Sequence, residues 1–481
     1  MAYTPPQKDT VHFVGGIGNK SGRSNSNGGG CTKAVFDANN GDWSKFMTST
    51  GASVVALNDT NVTITSNGAG KCRITKVGVG FDNITVGTLA RVWDIETNYP
   101  DYTGERVEVI AVDTANGNWC DVEMPYNGDE PDISFRAGGA FASLMNIVDD
   151  DSADATDYNR TVYTNINENN EYAMEVSNGG NPAKNTWFLI IGCDNNGNEL
   201  TVGNYLELGH QDELSSIFEF SKKENIKLKA LKFKDINNDY GTGIWIGGWG
   251  VASRNIVVDS CYFGGTSGKY GIYIDDDMHN VLIVNCTFES FGGTVAIYFE
   301  GGTGHHVFDC NIDANGKEAI KLDSNGPLVI SGNIIKNATK GIRNSGGLVC
   351  VFNNTFYNAT DKCVSMEDTD VKVVEYNNIF HVETPGSDYA IYANEGSIIY
   401  SGYSCTNATT NGLLNPGNLG LNYIGGSLNG TAPQFVNAGS GDFNLKATSP
   451  CLNSGKSTKN NGYTSMGAWQ RNQKITCRLI H

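Results

Sequence analysis

Two sets of short apolar segments repeat along the chain, and this repeat constrains the fold more than any other feature. The first set ends, at steps of 22 to 30 residues, on Phe233, Phe263, Phe288, Ile312, Ile334, Phe356 and Phe380. The second set keeps step with the first and centres on Ile244, Ile272, Ile297, Ile320, Ile342, Val364 and Ile391. Two columns with one period are typical of a solenoid, in which each repeat packs on its neighbours.

The segments alternate apolar and polar residues, as in IKLKALKF. Alternation with period two predicts strands, whereas a helical repeat needs a period of 3.6. A leucine-rich repeat needs LxxLxLxxN in every unit, which is absent. We therefore predict an all-β parallel β-helix, in which equivalent residues of successive coils stack about 4.8 Å apart.

Composition divides the chain into four regions. Residues 1–50 are rich in Gly, Ser and Asn, and residues 51–137 contain short β-rich runs that predict an N-terminal β module. Residues 138–400 form the predicted β-helix, and residues 401–481 its closing segment. Apolar residues at helical spacing in 138–151 predict a short helix that caps the first coil.

Two residues before the first column lie Leu231, Cys261, Cys286, Cys310, Gly332, Asn354 and Asn378. Three cysteines in one column cannot all pair with one another, and none of the twelve cysteines forms a CxxC motif, so we predict buried reduced thiols. The preceding positions predict a polar ladder at a left-handed turn: Ser260, Asn285, Asp309, Ser331, Asn353 and Asn377.

The charge of the chain limits its partners. With 34 Lys and Arg against 52 Asp and Glu, the formal net charge is −18. A negative field repels phosphate, so we expect no nucleic-acid partner. The chain contains no run of 18 apolar residues, so we expect no membrane insertion, and its N-terminus lacks the pattern of a secretory signal.

The residues immediately after the second column must point outward, because neighbouring residues of a strand face opposite ways. They are Trp245, Tyr273, Tyr298, Lys321, Arg343, Ser365 and Tyr392. Aromatic faces stack on pyranose rings, so this stripe predicts glycan binding by Trp245, Tyr273, Tyr298 and Tyr392. Alternatively, the tyrosines are ordinary strand residues.

An acidic series follows the stripe at Asp275, Glu300, Asp323 and Glu367. Asp275, Asp276, Glu300 and Asp323 predict a Ca²⁺ site, and no other cofactor is expected. A lyase would use Lys321 as base and Arg343 as acid or clamp. A hydrolase would use carboxylates of neighbouring coils. The structural alternative is that Lys321 only neutralises Glu300 or Asp323. We expect His305 and His306 to be loop residues and not metal ligands.

The columns, together with the run APQFVNAGSGDFNLKATSPCLNSGKSTKNNGYTSMGAWQ at 432–470, resemble the pectate-lyase-like right-handed β-helix superfamily. The resemblance covers roughly residues 139–470 and implies a right-handed parallel β-helix. The superfamily contains lyases, glycoside hydrolases, tailspikes and structural proteins, so the resemblance specifies fold more than activity.

The initiating Met and the separate N-terminal module resemble those of bacteriophage structural proteins. This implies a virion fibre, spike or capsid decoration, made in the host cytoplasm, that docks other virion proteins through its N-terminal module. It also implies a homotrimer and contact with surface polysaccharide. The alternative is an extracellular polysaccharide lyase or glycoside hydrolase that acts on an acidic polysaccharide.

Overall fold

The structure is a computed structural model, and it describes a defined set of residues. These are 9–14, 30–39, 56–76, 81, 84–93, 95, 98–99, 106–137, 159–164, 168–170, 174–175, 179–193, 199–200, 206–210, 216–221, 224–234, 241–247, 254–264, 268–323, 326–410, 421–456 and 463–467. The predicted capping helix at 138–151 lies outside them.

The described elements of the first half of the chain are almost all strands. They are β1 Thr10–Val14, β2 Gly30–Thr32, α1 Lys33–Ala38, β3 Ala56–Ser66, β4 Lys71–Thr75, β5 Leu89–Trp93, β6 Arg106–Val112, β7 Trp119–Pro125, β8 Glu130–Ala137, β9 Arg160–Thr164, β10 Glu168–Asn170, β11 Met174–Glu175, a 3-10 turn Pro182–Lys184, β12 Phe188–Gly192, β13 Leu206–His210, β14 Ser216–Ser221, β15 Glu224–Lys229, β16 Leu231–Phe233 and β17 Thr242–Gly247.

The second half continues with strands of two to six residues. They are β18 Arg254–Asp259, β19 Tyr262–Gly264, β20 Tyr270–Ile274, β21 His279–Val284, β22 Thr287–Glu289, β23 Val295–Phe299, β24 His305–Phe308, β25 Asn311–Asp313, β26 Glu318–Leu322, β27 Leu328–Ser331, β28 Ile334–Lys336, β29 Lys340–Asn344, β30 Leu348–Phe352, β31 Thr355–Ala359, β32 Lys362–Met366, β33 Lys372–Tyr376, β34 Ile379–Val382, β35 Tyr389–Ala393, β36 Ile398–Gly402, β37 Cys405–Thr406, β38 Leu421–Gly425, β39 Phe435–Asn437, a 3-10 turn Ala438–Ser440, β40 Asp442–Leu445, β41 Gly455–Lys456 and β42 Tyr463–Thr464.

The chain divides into two compact units, and the first contains an antiparallel barrel. The barrel closes in the order β3-β4-β7-β6-β5-β8, which confirms the predicted N-terminal β module. Its interior packs the rings of Phe81 and Phe135, with centroids 5.8 Å apart. The buried Tyr99 hydroxyl donates to the Gly128 carbonyl at 2.6 Å. Closure removes free strand edges, so the barrel is a self-contained module.

The second unit contributes eight strands to each of three parallel sheets. Sheet 1 is β18-β21-β24-β27-β30-β33-β36-β38. Sheet 2 is β16-β19-β22-β25-β28-β31-β34-β37. Sheet 3 is β14-β17-β20-β23-β26-β29-β32-β35. The chain visits the three sheets in turn, so each coil supplies one strand to each sheet. This arrangement is the predicted right-handed parallel β-helix.

The first apolar column lies inside the β-helix, as predicted. The rings of Phe233, Phe263 and Phe288 stack with centroids 4.8 and 4.6 Å apart and planes 8° from parallel. All three are fully buried, and Ile312 continues the column above Phe288. The equivalent side chains of successive coils therefore stack directly, which is the geometry that the repeat required.

One coil departs from the predicted column by a single residue. Ile335, and not Ile334, pairs with Ile312 below and Phe356 above. The cause lies just upstream, where Gly332 adopts φ +75° and Asn333 occupies the position expected for Gly332. The prediction of Ile334 was wrong because two consecutive isoleucines give the alternation pattern no means of choosing between them.

A left-handed residue follows β15 and each sheet-1 strand from β18 to β36. Its φ lies between 52° and 75° at Ala230, Ser260, Asn285, Asp309, Gly332, Asn353, Asn377 and Tyr403. Asn, Asp and Gly tolerate this conformation at least cost, which explains most of the column. The predicted polar ladder is confirmed, with Gly332 in place of Ser331.

Buried polar side chains follow this turn in the later coils. The backbone N–H of Cys310 donates to Asn333 Oδ1 at 2.8 Å, and that of Asn333 donates to Asn354 Oδ1 at 2.9 Å. The series continues from Asn354 to Asn378 at 2.9 Å and from Asn378 to Ser404 Oγ at 3.0 Å. The ladder satisfies backbone donors at a corner where strand pairing stops.

The described cysteines are free thiols, and all but Cys350 are buried. Their burial agrees with the prediction of buried thiols, and the twelfth cysteine, Cys477, lies outside the described residues. Burial raises the pKa of the Cys286 thiol, which lies between Cys261 and Cys310 in the turn column. These thiols act as small apolar side chains.

The C-terminal hairpin β39–β40 packs on the outside of sheet 2. The Tyr357 ring lies 5.9 Å from the Phe435 ring and 5.3 Å from the Phe443 ring. Ile334, which is displaced from the interior column, packs against Phe443 on the same side. The closing segment therefore covers part of one of the three outer faces.

Candidate functional site

The predicted outward stripe forms one continuous column on sheet 3. Successive strands pair Trp245 with Tyr273, Tyr273 with Tyr298 and Tyr298 with Lys321. Further pairs join Lys321 to Arg343, Arg343 to Ser365 and Ser365 to Tyr392. The structure thus brings all seven stripe residues together in the predicted order. The inward neighbours from Ile244 to Ile391 are buried and fix the orientation of the strands.

A second outward column flanks the stripe, and the sequence analysis missed it. Strand pairing places Tyr270, Glu318, Lys340, Lys362 and Tyr389 in it, each at the first residue of its strand. Each lies three residues before its stripe neighbour, with a buried small residue and the inward apolar residue between them. Simple alternation did not select these positions, because two consecutive residues are buried there. We call both columns together the sheet-3 face.

Three tyrosine rings cluster at the centre of the sheet-3 face. The Tyr270 ring lies 5.2 Å from both the Tyr273 and Tyr298 rings, and the latter two are 5.4 Å apart. The Tyr273 hydroxyl donates to Glu300. Because their hydroxyls and mutual contacts hold these rings, they form a fixed aromatic platform.

Lys321 is held at the edge of this platform. Its Nζ lies 2.5 Å from Asp323 Oδ2 and 4.1 Å from the centre of the Tyr298 ring. The Tyr298 hydroxyl donates to the same oxygen at 2.7 Å, and burial raises the pKa of this tyrosine. Burial alone would raise the pKa of Asp323, but the hydrogen bonds from Lys321 and Tyr298 outweigh it and lower that pKa. Lys321 therefore neutralises Asp323, as the structural alternative predicted.

An ion-pair network continues from Arg343 to the later coils. Glu318 Oε1 lies 3.4 Å from Arg343 Nη1 and 3.7 Å from Lys340 Nζ. Glu367 Oε1 lies 3.0 Å from Lys340 Nζ and 3.9 Å from Lys362 Nζ. Burial alone would raise the pKa of Glu367, but hydrogen bonds from Ser365 and Lys340 lower it. The face therefore alternates fixed cations and carboxylates.

Two polar atoms in this network are buried without a hydrogen-bond partner. They are Asp323 Oδ1 and Arg343 Nε. Buried donors and acceptors are normally satisfied, so an unsatisfied pair marks a place where water or a ligand binds. One atom accepts and the other donates, which suits a sugar hydroxyl, because a hydroxyl can do both.

The four residues of the predicted calcium site do not form a cage. Asp275 Oδ1 accepts the backbone N–H of Asp276 at 2.8 Å, and Asp276 is exposed. Glu300 and Asp323 each accept a tyrosine hydroxyl. In the described part of the chain, no three His, Cys, Asp or Glu side chains are grouped to hold a metal ion. As arranged, these residues do not fit Ca²⁺, and the calcium site stays a prediction.

The prediction that His305 and His306 lie in a loop was wrong. Both belong to strand β24, where they pair with Leu328 and Val329. His305 is 1% exposed, its Nε2 lies 3.1 Å from the Gly301 carbonyl oxygen, and burial lowers its pKa to about 4. The strand begins at the histidines because the apolar alternation of the following residues extends back through them.

Comparison with known proteins agrees with this architecture. Residues 216–380 match the family model described as "Right handed beta helix region". No curated protein matches the chain. Among the described residues, no helix is long and apolar enough to cross a membrane.

Two solved structures are similar at low identity. A pectate lyase, Pel9A, has a TM-score of 0.46 and 13% identity, over 70% of this chain and 92% of its own. The tailspike protein gp49 from Pseudomonas phage LKA1 has a TM-score of 0.25 and 12% identity, over 70% of this chain and 66% of its own. Neither similarity is close enough to carry an argument on activity. The three parallel sheets and the family match within them show that this part of the chain is a right-handed parallel β-helix.

Proposed function

We propose that the sheet-3 face binds an acidic polysaccharide and that the protein is a rigid virion component of the spike or fibre type. The observation that carries the binding proposal is the tyrosine platform beside two unsatisfied buried atoms, Asp323 Oδ1 and Arg343 Nε. The half-buried rings of Tyr270 and Tyr273 offer apolar faces, whereas Lys321 covers the buried Tyr298 ring. The adjacent atoms offer one acceptor and one donor.

The platform suits sugar rings because pyranoses have one apolar face that stacks on an aromatic ring. Tyr270, Tyr273 and Tyr298 form the centre, and Trp245 and Tyr392 extend the same outward column on either side. The coil spacing of about 4.8 Å is close to the length of one pyranose unit, so a polymer laid along the column meets a side chain at each coil.

Charge favours an acidic polymer. The chain as a whole repels anions, yet Lys321, Arg343, Lys340 and Lys362 are concentrated on this one face. The Arg343 side chain is 32% exposed, so it can contact a uronate carboxylate.

Binding is favoured over lyase chemistry by the state of Lys321. A base must present a free amine to the substrate proton, whereas Lys321 contacts the Asp323 carboxylate at 2.5 Å and covers the Tyr298 ring. The predicted catalytic pair, Lys321 and Arg343, therefore supports recognition better than proton abstraction.

The virion role is supported by the modular layout. A closed antiparallel barrel of β3 to β8, built on a different strand arrangement from the coils, lies in the chain between β1 and β9, which pair in parallel. Appendages commonly pair a docking module with an outward-facing β-helix, and this part of the proposal rests on that analogy. Mass spectrometry and immunogold labelling of purified particles test it. Absence of the protein from particles would refute the role.

Calorimetry with oligogalacturonate, and with a neutral dextran oligomer for comparison, tests the binding site. We expect Tyr273→Ala to weaken oligogalacturonate binding about tenfold, because one stacked ring is lost. Tyr400→Ala is the matched control, because Tyr400 is a 40% exposed tyrosine on sheet 1. Equal binding by the wild type and Tyr273→Ala would refute the site.

The same samples are then assayed for unsaturated products by ultraviolet absorbance and for reducing ends. We expect neither. Unsaturated ends lost in Lys321→Met would favour the lyase alternative, and reducing ends without that absorbance would favour a hydrolase.

A further inference from the structure

The outer face of sheet 1 is apolar over seven coils, and neither the sequence analysis nor the proposed glycan site uses it. Its first outward column pairs strand by strand through Val257, Leu282, His306, Val329, Cys350, Val374 and Tyr400. A second column, interrupted by the buried Ser331, adds Val284, Phe308, Phe352 and Tyr376. We call these eleven residues the sheet-1 face.

Burial establishes that these side chains point outward. In β30 the residues alternate, with Val349 and Val351 buried and Cys350 and Phe352 part-exposed. Tyr400 is 40% exposed. The charged side chains that the described sheet-1 strands turn outward lie at strand ends: Arg254, Asp259 and Lys372. The centre of the face carries no charge, because burial lowers the pKa of His306 from 6.5 and leaves it neutral at pH 7.

The extent of the face is that of the largest apolar patch on a typical monomer, and such patches are often functional. Seven strands about 4.8 Å apart and five residues long cover about 500 Å² in projection. Apolar patches on monomeric proteins seldom exceed a few hundred Å². Two such faces in contact would bury about 1,000 Å², which reaches the size at which specific interfaces begin.

We propose that the sheet-1 face packs against the sheet-1 face of a second copy of this chain. A second copy fits best because its apolar residues recur at the same spacing of about 4.8 Å, so side chains interdigitate at every coil. A basic or acidic partner would find no charge to match at the centre of the face.

The chain's own charge supports the same assignment. Copies with a net charge of −18 repel one another over most of their surface, so they can approach closely only where charge is absent. The sheet-3 face is unsuited to this contact, because its lysines and carboxylates would lose water on burial. Self-association through sheet 1 leaves sheet 3 exposed, and it does not depend on glycan binding.

Sedimentation velocity on the full chain, from about 1 to 100 µM, tests the proposal. We expect the wild type to assemble and Val329→Lys or Val374→Lys to weaken assembly about 100-fold, because each places an unpaired charge in the contact. Outward lysines are tolerated on a strand of the same β-helix, as at Lys321, so the variants are expected to fold. Circular dichroism checks this.

Val436→Lys is the matched control, because Val436 is 48% exposed on the hairpin and outside the sheet-1 face. It should assemble like the wild type. A monomeric wild type across the whole range would overturn the proposal, as would assembly by Val329→Lys and Val374→Lys at wild-type strength. A monomer that binds a different particle protein through this face would overturn the second-copy assignment. Loss of glycan binding with intact assembly would refute only the glycan site.

Discussion

The sheet-1 and sheet-3 faces are made by the same coils, yet they differ in almost every physical property. On sheet 3, outward positions hold aromatic rings and a network of fixed cations and carboxylates around Arg343 and Glu367. On sheet 1, the outward positions of the same coils hold Leu282, Val329 and Val374. Sheet 2 differs again, because a hairpin covers part of its outer side.

This difference shows that the interior and the surface of the β-helix are specified separately. The inward residues are similar on all three sheets, because each must fill the same narrow space. The outward residues are free to vary, so each face can acquire its own partner: a charged polymer on one side and an apolar surface on another. Four predictions test the contrast.

The largest effect is expected from the core that both faces share. Phe263 lies between the rings of Phe233 and Phe288 and is fully buried. We expect Phe263→Ala to lower the free energy of unfolding by about 4 kcal/mol, through lost burial and a residual cavity. Chemical denaturation measures this. The exposed Val436→Ala should change stability by less than about 0.5 kcal/mol; equal effects of the two would show that the column is not the core.

Arg343→Met should affect only the sheet-3 face. It removes the unused Nε donor and the contact with Glu318, so we expect oligogalacturonate binding to weaken about tenfold. Self-association should not change. Calorimetry and sedimentation of the same variant separate the two functions. If assembly also weakened, the two faces would not be independent.

Higher ionic strength should have opposite effects on binding at the two faces. Between about 50 and 500 mM salt, screening should weaken binding of an acidic oligosaccharide about threefold, because the attraction involves exposed cations. The same screening should strengthen self-association, because it reduces repulsion between chains with a net charge of −18. A uniform response of both equilibria would contradict the division of charge between the faces.

The smallest effect is expected from pH. Burial lowers the pKa of His306, so the folded chain binds a proton less readily than the unfolded chain does. The neutral His306 therefore makes its full contribution to the free energy of unfolding well above pH 6.5, and this contribution is lost as the pH falls below that value. Its neighbours Leu282 and Val329 offer no compensating charge. We expect self-association to weaken about twofold from pH 7.5 to 5, and His306→Phe to abolish this change.

Glycan binding should stay nearly constant over the same range. The pKa values of Asp323 and Glu367 lie below their usual 3.8 and 4.5, because hydrogen bonds outweigh burial. The charged carboxylates stabilise the sheet-3 face above pH 3.8 and 4.5. This stabilisation is lost only as the pH falls through their lowered pKa values. Binding to oligogalacturonate that weakened already by pH 5 would argue against these two carboxylates as the controlling groups.

The sequence predicted the parts of the molecule that repeat with one residue type in each coil. Phe233, Phe263 and Phe288, and the stripe from Trp245 to Tyr392, followed from spacing alone, because a stacked column requires equivalent residues. The position of Ile335 in the interior column could not be predicted, because the adjacent Ile334 fits the same alternation pattern.

Other features could not be predicted because they depend on three dimensions. Lys340 lies one coil before Glu367, and only the stacked strands bring the lysine to that carboxylate. The sequence analysis did not identify the sheet-1 face, because the sequence alone does not distinguish outward valines from valines of the core. Apolar residues on both sides of a strand predict burial on both sides, which a single chain does not provide.

The left-handed column from Ala230 to Tyr403 has a consequence for how such a chain can change in length. Every coil turns from sheet 1 to sheet 2 at this column. Removal or duplication of one complete coil therefore leaves all remaining columns aligned. Insertion of a single residue within a strand turns every later side chain of that strand to the opposite side. Insertions and deletions that preserve this β-helix are therefore expected to add or remove whole coils.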